Sequence, residues 1–213
     1  MVEAIRGNLI TVNPEEVHDG TPVGQERSWS MLYLSRQLVG SVVADFTEGR
    51  LATRELHAPV VADDSMAKLF LATREAALDS EQDAIFEERL IALLGFLLGA
   101  IPVAIAADDR RIIQIRERID DDPAGDHPLA ELAILADLSR FQTLRAFARL
   151  TGLTPHAYVT QRRLDATRRL IRAGVPLAAA AAEAGFADQS HMHRIFVARH
   201  GYTPGAYAQT RHR

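Results

Sequence analysis

The chain contains no cysteine in its 213 residues. This absence excludes disulfides, thiolate metal sites and cysteine nucleophiles, and it fits a reducing compartment, so we expect a cytoplasmic protein. The N-terminus lacks the basic and then apolar order of a signal peptide. Neither a glycine-rich phosphate loop nor a serine nucleophile motif occurs. The sequence therefore predicts a protein that is not an enzyme and needs no cofactor.

Long apolar runs are also scarce, and only one calls for a membrane test. Residues 90–107 form 18 consecutive positions without a charge, which is the lower limit for a spanning helix. Gly95, Gly99 and Pro102 would interrupt such a helix, and an acidic stretch precedes it. We predict instead a buried helix over 83–98 that runs into an irregular linker, with no membrane partner.

Lysine is almost missing, since Lys68 is the only one in the chain. The net charge of −4 hides two unlike halves. Residues 1–109 hold 8 Lys/Arg against 18 Asp/Glu, a balance of −10, whereas residues 110–213 hold 16 Arg against 10 Asp/Glu, a balance of +6. Neutralised phosphates release counterions and drive association. The asymmetry therefore points to a nucleic-acid partner for the second half.

That second half repeats itself at an offset of 49 residues. Ten of the 33 positions in 130–162 recur identically in 179–211. Each copy predicts a short alanine-rich helix, a turn, and a second helix with an Arg and a Phe two residues apart. A glycine and a Thr-Pro step follow. A short helix, a tight turn and a longer helix make the helix-turn-helix plan.

The first copy places Pro128 at a helix start and Ser139 as the cap of a helix over 140–150. Its predicted buried stripe contains Leu144, Phe147 and Ala148. Its predicted outward residues are Arg140, Phe141, Gln142 and Arg145.

In the second copy, Asp188 is the predicted cap, and Met192, Ile195 and Phe196 face inward. The outward residues are Gln189, Ser190, His191, His193 and Arg194. Gln and Arg near the start of a recognition helix pair with adenine and guanine edges. An ordinary solvated face is the alternative for either helix alone, but duplication in a basic half favours DNA.

A long helix connects the two copies. Thr154-Pro155 begins it and Gly174 ends it, so it spans about 30 Å, close to one turn of B-DNA at about 34 Å. We expect phosphate contacts from this helix and from the two cap positions: Arg162, Arg163, Ser139 and Asp188. For most arginines of this helix, a solvated surface with internal ion pairs, with Asp165 as the available partner, is an equally open alternative.

Residues 1–62 have the composition of strands. Runs that favour β structure occur at 8–12, 30–34 and 39–46, separated by turn formers. From position 63 the apolar spacing becomes helical, with Asp64 or Ser65 as the cap. The helix over 83–98 completes an antiparallel pair, and a short helix over 109–119 precedes the first repeat.

The run "LSRFQTLRAFARLTGLTPHAYVTQRRL" and the run "AAEAGFADQSHMHRIFVARHGYTPGAY" resemble the AraC/XylS family of bacterial transcription regulators. The resemblance implies base-facing and phosphate-facing roles for Phe141, Gln142, Leu144, Arg145, Gln189, Ser190, His191, His193 and Arg194. It also implies double-stranded DNA as the partner, a homodimer, a small-molecule effector, and RNA polymerase if the protein activates. The family usually has glycine where this chain has Asp137, and the order at Thr143 and Leu144 leaves open which of the two is buried.

The upstream part is similar to the end of the family's effector-binding cupin, with "NLITVNPEEVHDGTP" and "SWSMLYL". The helical pair (63–100) resembles the helices that dimerise such regulators. The implied fold is α+β and mostly α: a partial cupin-like domain with the pair in 1–108, and an all-α, duplicated helix-turn-helix domain in 109–213. Fewer than 65 residues precede the pair, whereas a closed jelly roll needs about eight strands. If this length is the natural one, we expect no closed effector pocket, DNA binding independent of small molecules, and a partner protomer over the open side. A continuation upstream would instead restore the cupin and imply an effector.

His18, Trp29 and Tyr33 are the candidates for an effector pocket, although core packing is the simpler interpretation of two aromatic residues on strands. A metal-dependent cupin enzyme with a DNA-binding tail is the competing function. It would use Glu15, Glu16, His18 and His57 as ligands. We expect no metal, because a histidine in a turn is usually structural. A pure interaction protein would leave the outward Gln and Arg sets without a role.

Overall fold

The computed structural model describes residues 4–16, 28–47, 55–56, 58–79, 83–99 and 109–209. Within these ranges the protein is mostly helical, which confirms the predicted class, and its only strands are two short ones. β1 (Leu9–Ile10) and β2 (Val60–Val61) pair antiparallel. The chain divides into two compact units. The N-terminal unit holds the described residues before 106 together with Ser139–Gln142, and the C-terminal unit holds 109–138 and 143–209.

The N-terminal unit is built on three helices, α1 (Arg36–Phe46), α2 (Asp64–Ala77) and α3 (Asp83–Leu97). Asp63, one residue earlier than predicted, caps α2 by accepting hydrogen bonds from the amides of Ser65 and Met66. The bond from the Ser65 hydroxyl and that from the Met66 amide lower the pKa of Asp63. Helix α3 packs against α2, which confirms a helical pair in this region. None of the described helices is long and apolar enough to cross a membrane.

The strand predicted over 39–46 is wrong, because these residues form most of α1. Ser35 caps this helix, and its hydroxyl accepts from the Leu38 amide. Val42 and Val43 are buried on its inner side. Strand propensity is decided largely by neighbouring strands, and a capped segment with helical apolar spacing forms a helix instead. Residues 30–34 are also not a strand in the structure.

The C-terminal unit contains seven described helices. They are α4 (Asp109–Asp121), α5 (Leu129–Ala136), α6 (Arg140–Thr151), α7 (Pro155–Ala173), α8 (Leu177–Glu183), α9 (Gln189–His200) and α10 (Pro204–Gln209). Helices α6 and α9 each have 12 residues and begin 49 positions apart. Helices α7 and α10 also begin 49 positions apart, each at a proline. The sequence repeat is therefore confirmed as a structural repeat.

Each copy has its own hydrophobic core, and the same position lies at the centre of both. Phe147 packs with residues of α4 and α5, and Phe196 packs with residues of α8 and α9. Both phenylalanines are fully buried. A tyrosine lies beside each ring: Tyr158 at 5.4 Å from Phe147 and Tyr207 at 6.0 Å from Phe196, between ring centroids. Duplicated residues thus occupy duplicated environments.

The turns follow the sequence prediction as well. Asp137 ends α5 with a φ of 52°, in the left-handed region that the usual glycine would adopt. An aspartate reaches this region more readily than most residues. Gly152 after α6 and Gly201 after α9 share a φ of 77°. These C-terminal turns redirect the chain into α7 and α10 at equivalent points.

Truncation of either central ring should destabilise the C-terminal unit. We expect Phe147→Ala and Phe196→Ala each to lower the free energy of unfolding by about 3–5 kcal/mol, because a buried cavity replaces the ring. Urea denaturation followed by circular dichroism measures the change. Ile134→Ala is the control, since Ile134 is 79% exposed. Losses no larger than the control's would contradict the assignment of these rings to the two cores.

Candidate nucleic-acid interface

Helix α9 presents a polar face whose residues match the predicted outward set. Gln189, Ser190, His193 and Arg194 are exposed, whereas Met192 and Phe196 are fully buried. The helix therefore has the predicted inward and outward sides. A base-reading helix needs such a rigid core side and a side free to enter a groove.

His191 differs from its neighbours because it is half-buried. Its ring packs edge-on against Phe186, at 5.6 Å between centroids. Its backbone amide donates to the carboxylate of Asp188 at 2.7 Å. That backbone hydrogen bond is the largest cause of the lowered pKa of Asp188. The structure thus places Asp188 as the predicted cap, and its charge stabilises the helix N-terminus.

Helix α6, like α9, has a buried side, but the partners of its first turn differ from those of α9. Thr143 is 0% exposed and Leu144 is 5% exposed, so both are buried. Leu144, which the family resemblance puts on the base-facing side, lies in the interior here. Arg145 is exposed, as is its counterpart Arg194 in the other copy. The two arginines occupy positions 49 residues apart on equivalent helices.

The first turn of α6 carries a reciprocal cap. The Ser139 amide donates to Gln142 Oε1 at 2.9 Å, and the Gln142 amide donates to the Ser139 hydroxyl at 3.2 Å. This pattern satisfies two otherwise unpaired amides at once. Ser139 and Gln142, both predicted to contact DNA, are therefore engaged with each other in this structure.

Asp45 of α1 satisfies the next two amides of α6. Its carboxylate accepts from the Arg140 amide at 3.2 Å and from the Phe141 amide at 3.0 Å. These contacts belong to the N-terminal unit, which includes Ser139–Gln142. A helix N-terminus binds an anion through such amides, and in this structure that anion is the Asp45 carboxylate.

The side chains of Arg140 and Phe141 are held in the same unit. Arg140 Nη1 donates to Glu87 at 2.9 Å, and its Nε lies 3.7 Å from Asp45 Oδ1. The Phe141 ring packs against Phe46 with centroids 4.5 Å apart. A Cβ added to Gly95 would lie 2.8 Å from the Phe141 ring. Two residues predicted to face DNA are thus in contact with protein.

Sequence reasoning did not find Asp45 or Glu87. The Arg140 and Asp45 positions are 95 residues apart, and no local pattern connects them. An acidic residue near the end of an apolar segment is usually predicted to lie in solvent. Only the tertiary fold brings this carboxylate to the start of α6.

Two arginines of α7 that were predicted to contact phosphates have protein partners. Arg162 Nε lies 2.8 Å from Asp120 Oδ1. The hydroxyl of Tyr158 donates to the same carboxylate at 2.9 Å. Burial, together with this hydrogen bond, raises the pKa of Tyr158. Arg163 donates to backbone carbonyls of the turn between α4 and α5.

Two of the three candidates for an effector pocket lie within the described residues, and both are exposed. Trp29 is 53% exposed and Tyr33 is 85% exposed, while His18 lies outside the described residues. Of the candidate metal ligands, Glu15 forms an ion pair with Arg36 at 2.8 Å, and Glu16 accepts a hydrogen bond from the Asn13 amide at 2.8 Å. His57, like His18, lies outside the described residues.

Two protein families match different parts of the chain. A helix-turn-helix domain family matches residues 132–210. The AraC-like ligand binding domain family matches residues 2–94. The first match begins within α5 and covers the helices α6 to α10, and the second contains β1, β2 and the helices α1 and α2.

Individual proteins show the same likeness. The chain is 24% identical to the uncharacterized HTH-type transcriptional regulator YbfI of Bacillus subtilis, over 87% of this chain and 70% of that protein. It is 35% identical to the RCS-specific HTH-type transcriptional activator RclR of Escherichia coli, over 37% of this chain and 28% of that protein. A solved structure of a probable AraC family transcriptional regulator from Rhodopseudomonas palustris is 25% identical, with a TM-score of 0.44, over 48% of this chain and 97% of that one.

Removal of the Asp45 carboxylate should increase the DNA affinity of the full-length chain. Asp45→Ala frees the first amides of α6 and removes one acidic partner of Arg140, so donors suited to phosphate become available. Gly95→Ala should act in the same direction by a steric route, because its Cβ would meet the Phe141 ring. We expect a three- to tenfold gain in fluorescence anisotropy titrations with duplex DNA, which is about 0.7–1.4 kcal/mol.

Glu15→Ala is the matched control for this experiment. It also removes an acidic partner of an arginine, but its ion pair with Arg36 is largely exposed. Circular dichroism of each variant checks that the fold is retained. Equal affinities for the parent, Asp45→Ala and Gly95→Ala would show that the contacts at the first turn of α6 do not compete with DNA.

Proposed function

We propose that this chain, which matches a helix-turn-helix domain family in one part and the AraC-like ligand binding domain family in the other, is a transcriptional regulator of the AraC type that reads duplex DNA with α6 and α9 in two successive major-groove segments. The duplicated scaffold carries this proposal. Two helices of equal length begin 49 residues apart, each with a buried phenylalanine and an exposed arginine in the same register. A protein that needed only one DNA contact would not require the second copy.

The dimensions of α7 support the two-groove geometry. Its 19 residues correspond to about 28 Å of helix, against about 34 Å for one turn of B-DNA. A helix of this length is suited to hold two recognition helices about one DNA turn apart. The two outward sets differ, with Arg145 in one copy and Gln189, Ser190, His193 and Arg194 in the other. The site of one chain should therefore be asymmetric.

Charge favours the same partner. The 16 arginines in residues 110–213 against 10 acidic residues give this half the sign that phosphates attract. Phosphate contacts position a protein on DNA, whereas base contacts select the sequence. We assign base contacts to exposed residues of α9 and to Arg145, which act by binding and not by catalysis.

Footprinting of the full-length chain with two arginine variants tests this proposal. Hydroxyl-radical protection of a selected site should show two patches about 10 base pairs apart within about 16–20 base pairs. Arg145→Ala should weaken one patch and Arg194→Ala the other, each at a cost of about 1–3 kcal/mol. The two variants thus map each helix to its own segment of DNA.

Arg118→Ala is the matched control, because Arg118 lies on α4 and pairs with Glu131 on the protein surface. It should change neither patch. A single protected patch shorter than 10 base pairs in the parent would overturn the two-groove geometry. If both arginine variants kept both patches at full affinity, the assignment of Arg145 and Arg194 would be wrong.

For the N-terminal unit we propose two further partners, a second copy of the chain and a small-molecule effector. Leu71, Leu78 and Phe96 on or next to α2 and α3 are 48%, 74% and 48% exposed. Large exposed apolar side chains on a helix pair are candidates for a protein contact when they form one patch. The match of residues 2–94 to the AraC-like ligand binding domain family supports the effector. RNA polymerase would be an additional partner if the protein activates transcription.

The double substitution Leu71→Ala and Leu78→Ala should weaken self-association. We expect the dimer dissociation constant to rise about tenfold or more, since apolar anchors carry much of the energy of an interface. Sedimentation velocity at several protein concentrations measures it. Ile5→Ala is the control, because Ile5 is 64% exposed but lies outside the helices. A parent chain that stays monomeric at micromolar concentration would contradict the proposed dimer.

A further inference from the structure

Helix α7 belongs to both hydrophobic cores of the C-terminal unit. Val159 packs in the core around Phe147, and Leu164 packs in the core around Phe196. Arg163 lies between these two anchor positions in the sequence. A residue at this point of α7 is well placed to influence how the two helix-turn-helix copies are arranged.

The Arg163 guanidinium binds the turn that joins α4 to α5. Its Nε donates to the Pro123 carbonyl at 2.9 Å, and its Nη2 donates to the Gly125 carbonyl at 2.8 Å and lies 3.4 Å from the Ala124 carbonyl. Burial lowers the pKa of Arg163, and Asp126 and Asp122 oppose this effect. The planar fork of arginine suits several acceptors in one plane. The side chain thus fixes three consecutive carbonyls that precede the first helix-turn-helix.

The second helix-turn-helix reaches the same turn from another side. Gly185, which lies between α8 and α9, has a φ of 84°. A Cβ added there would lie 2.5 Å from the Ala124 carbonyl oxygen and 2.6 Å from the Ala124 Cα. Only glycine tolerates both the left-handed backbone and this approach. The turn at 123–125 therefore touches the α8–α9 corner while Arg163 holds it to α7.

We propose that Arg163 is a positioning residue that fixes the placement of α6 relative to α9, and so sets the spacing between the two DNA segments that the protein accepts. The inference rests on the proposed two-groove function. Arg163 acts through the 123–125 turn: the guanidinium holds that turn on α7, and the turn contacts the corner that leads into α9. The N–H groups of Arg163 that could bind a phosphate donate instead to the backbone carbonyls of this turn.

A direct phosphate contact is the competing role of Arg163, and it predicts different behaviour. Loss of one phosphate contact reduces the slope of log affinity against log salt by about 0.9 for duplex DNA and weakens all sites alike. Loss of a positioning contact changes which spacing is preferred. Lysine separates the two roles further, because it serves as a point charge for phosphate but lacks the planar fork.

The experiment measures binding of the full-length chain to duplexes in which the two contacted segments are 8 to 13 base pairs apart. We expect the parent to bind the duplex with its preferred spacing about ten times more tightly than duplexes whose spacing differs by two base pairs. Arg163→Met keeps most of the aliphatic stem and removes the donors, and its preference should fall below threefold. Arg163→Lys should lie between the two. Arg169→Met, on the exposed side of α7, should keep the spacing preference of the parent.

A uniform loss across all spacings, restored by Arg163→Lys and accompanied by a salt slope smaller by about 0.9, would overturn the proposal in favour of a phosphate contact. If the parent itself shows no preference for spacing, the proposed two-groove function is wrong. The positioning role of Arg163 is then decided by a distance measurement that needs no DNA. Gly185→Ala gives an independent route, because it displaces the same turn through steric contact, and it should also broaden the preference.

A second measurement needs no DNA. The chain has no cysteine, so the double substitution Ile134→Cys on α5 and Glu183→Cys on α8 provides two unique sites for spin labels. Both positions are exposed. Pulsed electron paramagnetic resonance should give a narrow distance distribution for the parent and a distinctly broader or shifted one for Arg163→Met, at unchanged helix content by circular dichroism. Identical distributions would overturn the positioning role.

Discussion

The C-terminal unit depends on one helix that two cores share. Each helix-turn-helix copy buries only a small set of apolar residues, and so few residues rarely stabilise an independent domain. Helix α7 gives Val159 to one core and Leu164 to the other. Since both cores are completed by the same rigid rod, neither copy can be rearranged without a change at α7. The spacing of α6 and α9 is therefore a property of the packing, and Arg163, with its hydrogen bonds to the 123–125 turn, lies in the sequence between the two core residues of α7.

Duplication has conserved the scaffold while the polar surfaces have diverged. Phe147 and Phe196 are equally buried, and α6 and α9 have the same length. The first turns nevertheless have unlike partners. Helix α6 begins against the carboxylate of Asp45, whereas α9 begins with its own Asp188 and an exposed Gln189. Two copies of one fold can in this way differ in their readiness to bind an anion, because helix amides held by a carboxylate are not free for a phosphate.

Two acidic residues of the N-terminal part form ion pairs with an arginine at the start of α6. Asp45 and Glu87 lie on helices in the half with a balance of −10, and both contact Arg140. Arg140 and its two acidic partners are only partly exposed, at 27%, 15% and 33% of the side-chain surface. Partly buried pairs are less screened by salt than exposed ones. The acidic half of the chain thus also supplies the carboxylate partners of Arg140.

The sequence by itself determined the elements that rest on local signals. Thr154-Pro155 and Gly174 bound α7 where they were expected, Asp188 caps α9, and Asp137 takes the left-handed turn. The repeat predicted the buried Phe147 and Phe196 and the exposed Arg145 and Arg194, because helical periodicity and caps depend on residues within a few positions. Tertiary structure alone decided the rest. It made residues 39–46 a helix, buried both Thr143 and Leu144, directed Arg163 to backbone carbonyls and brought Asp45 to the start of α6. In each case the deciding partner lies tens of residues away or depends on which face a neighbouring element covers, and neither periodicity nor composition records such contacts.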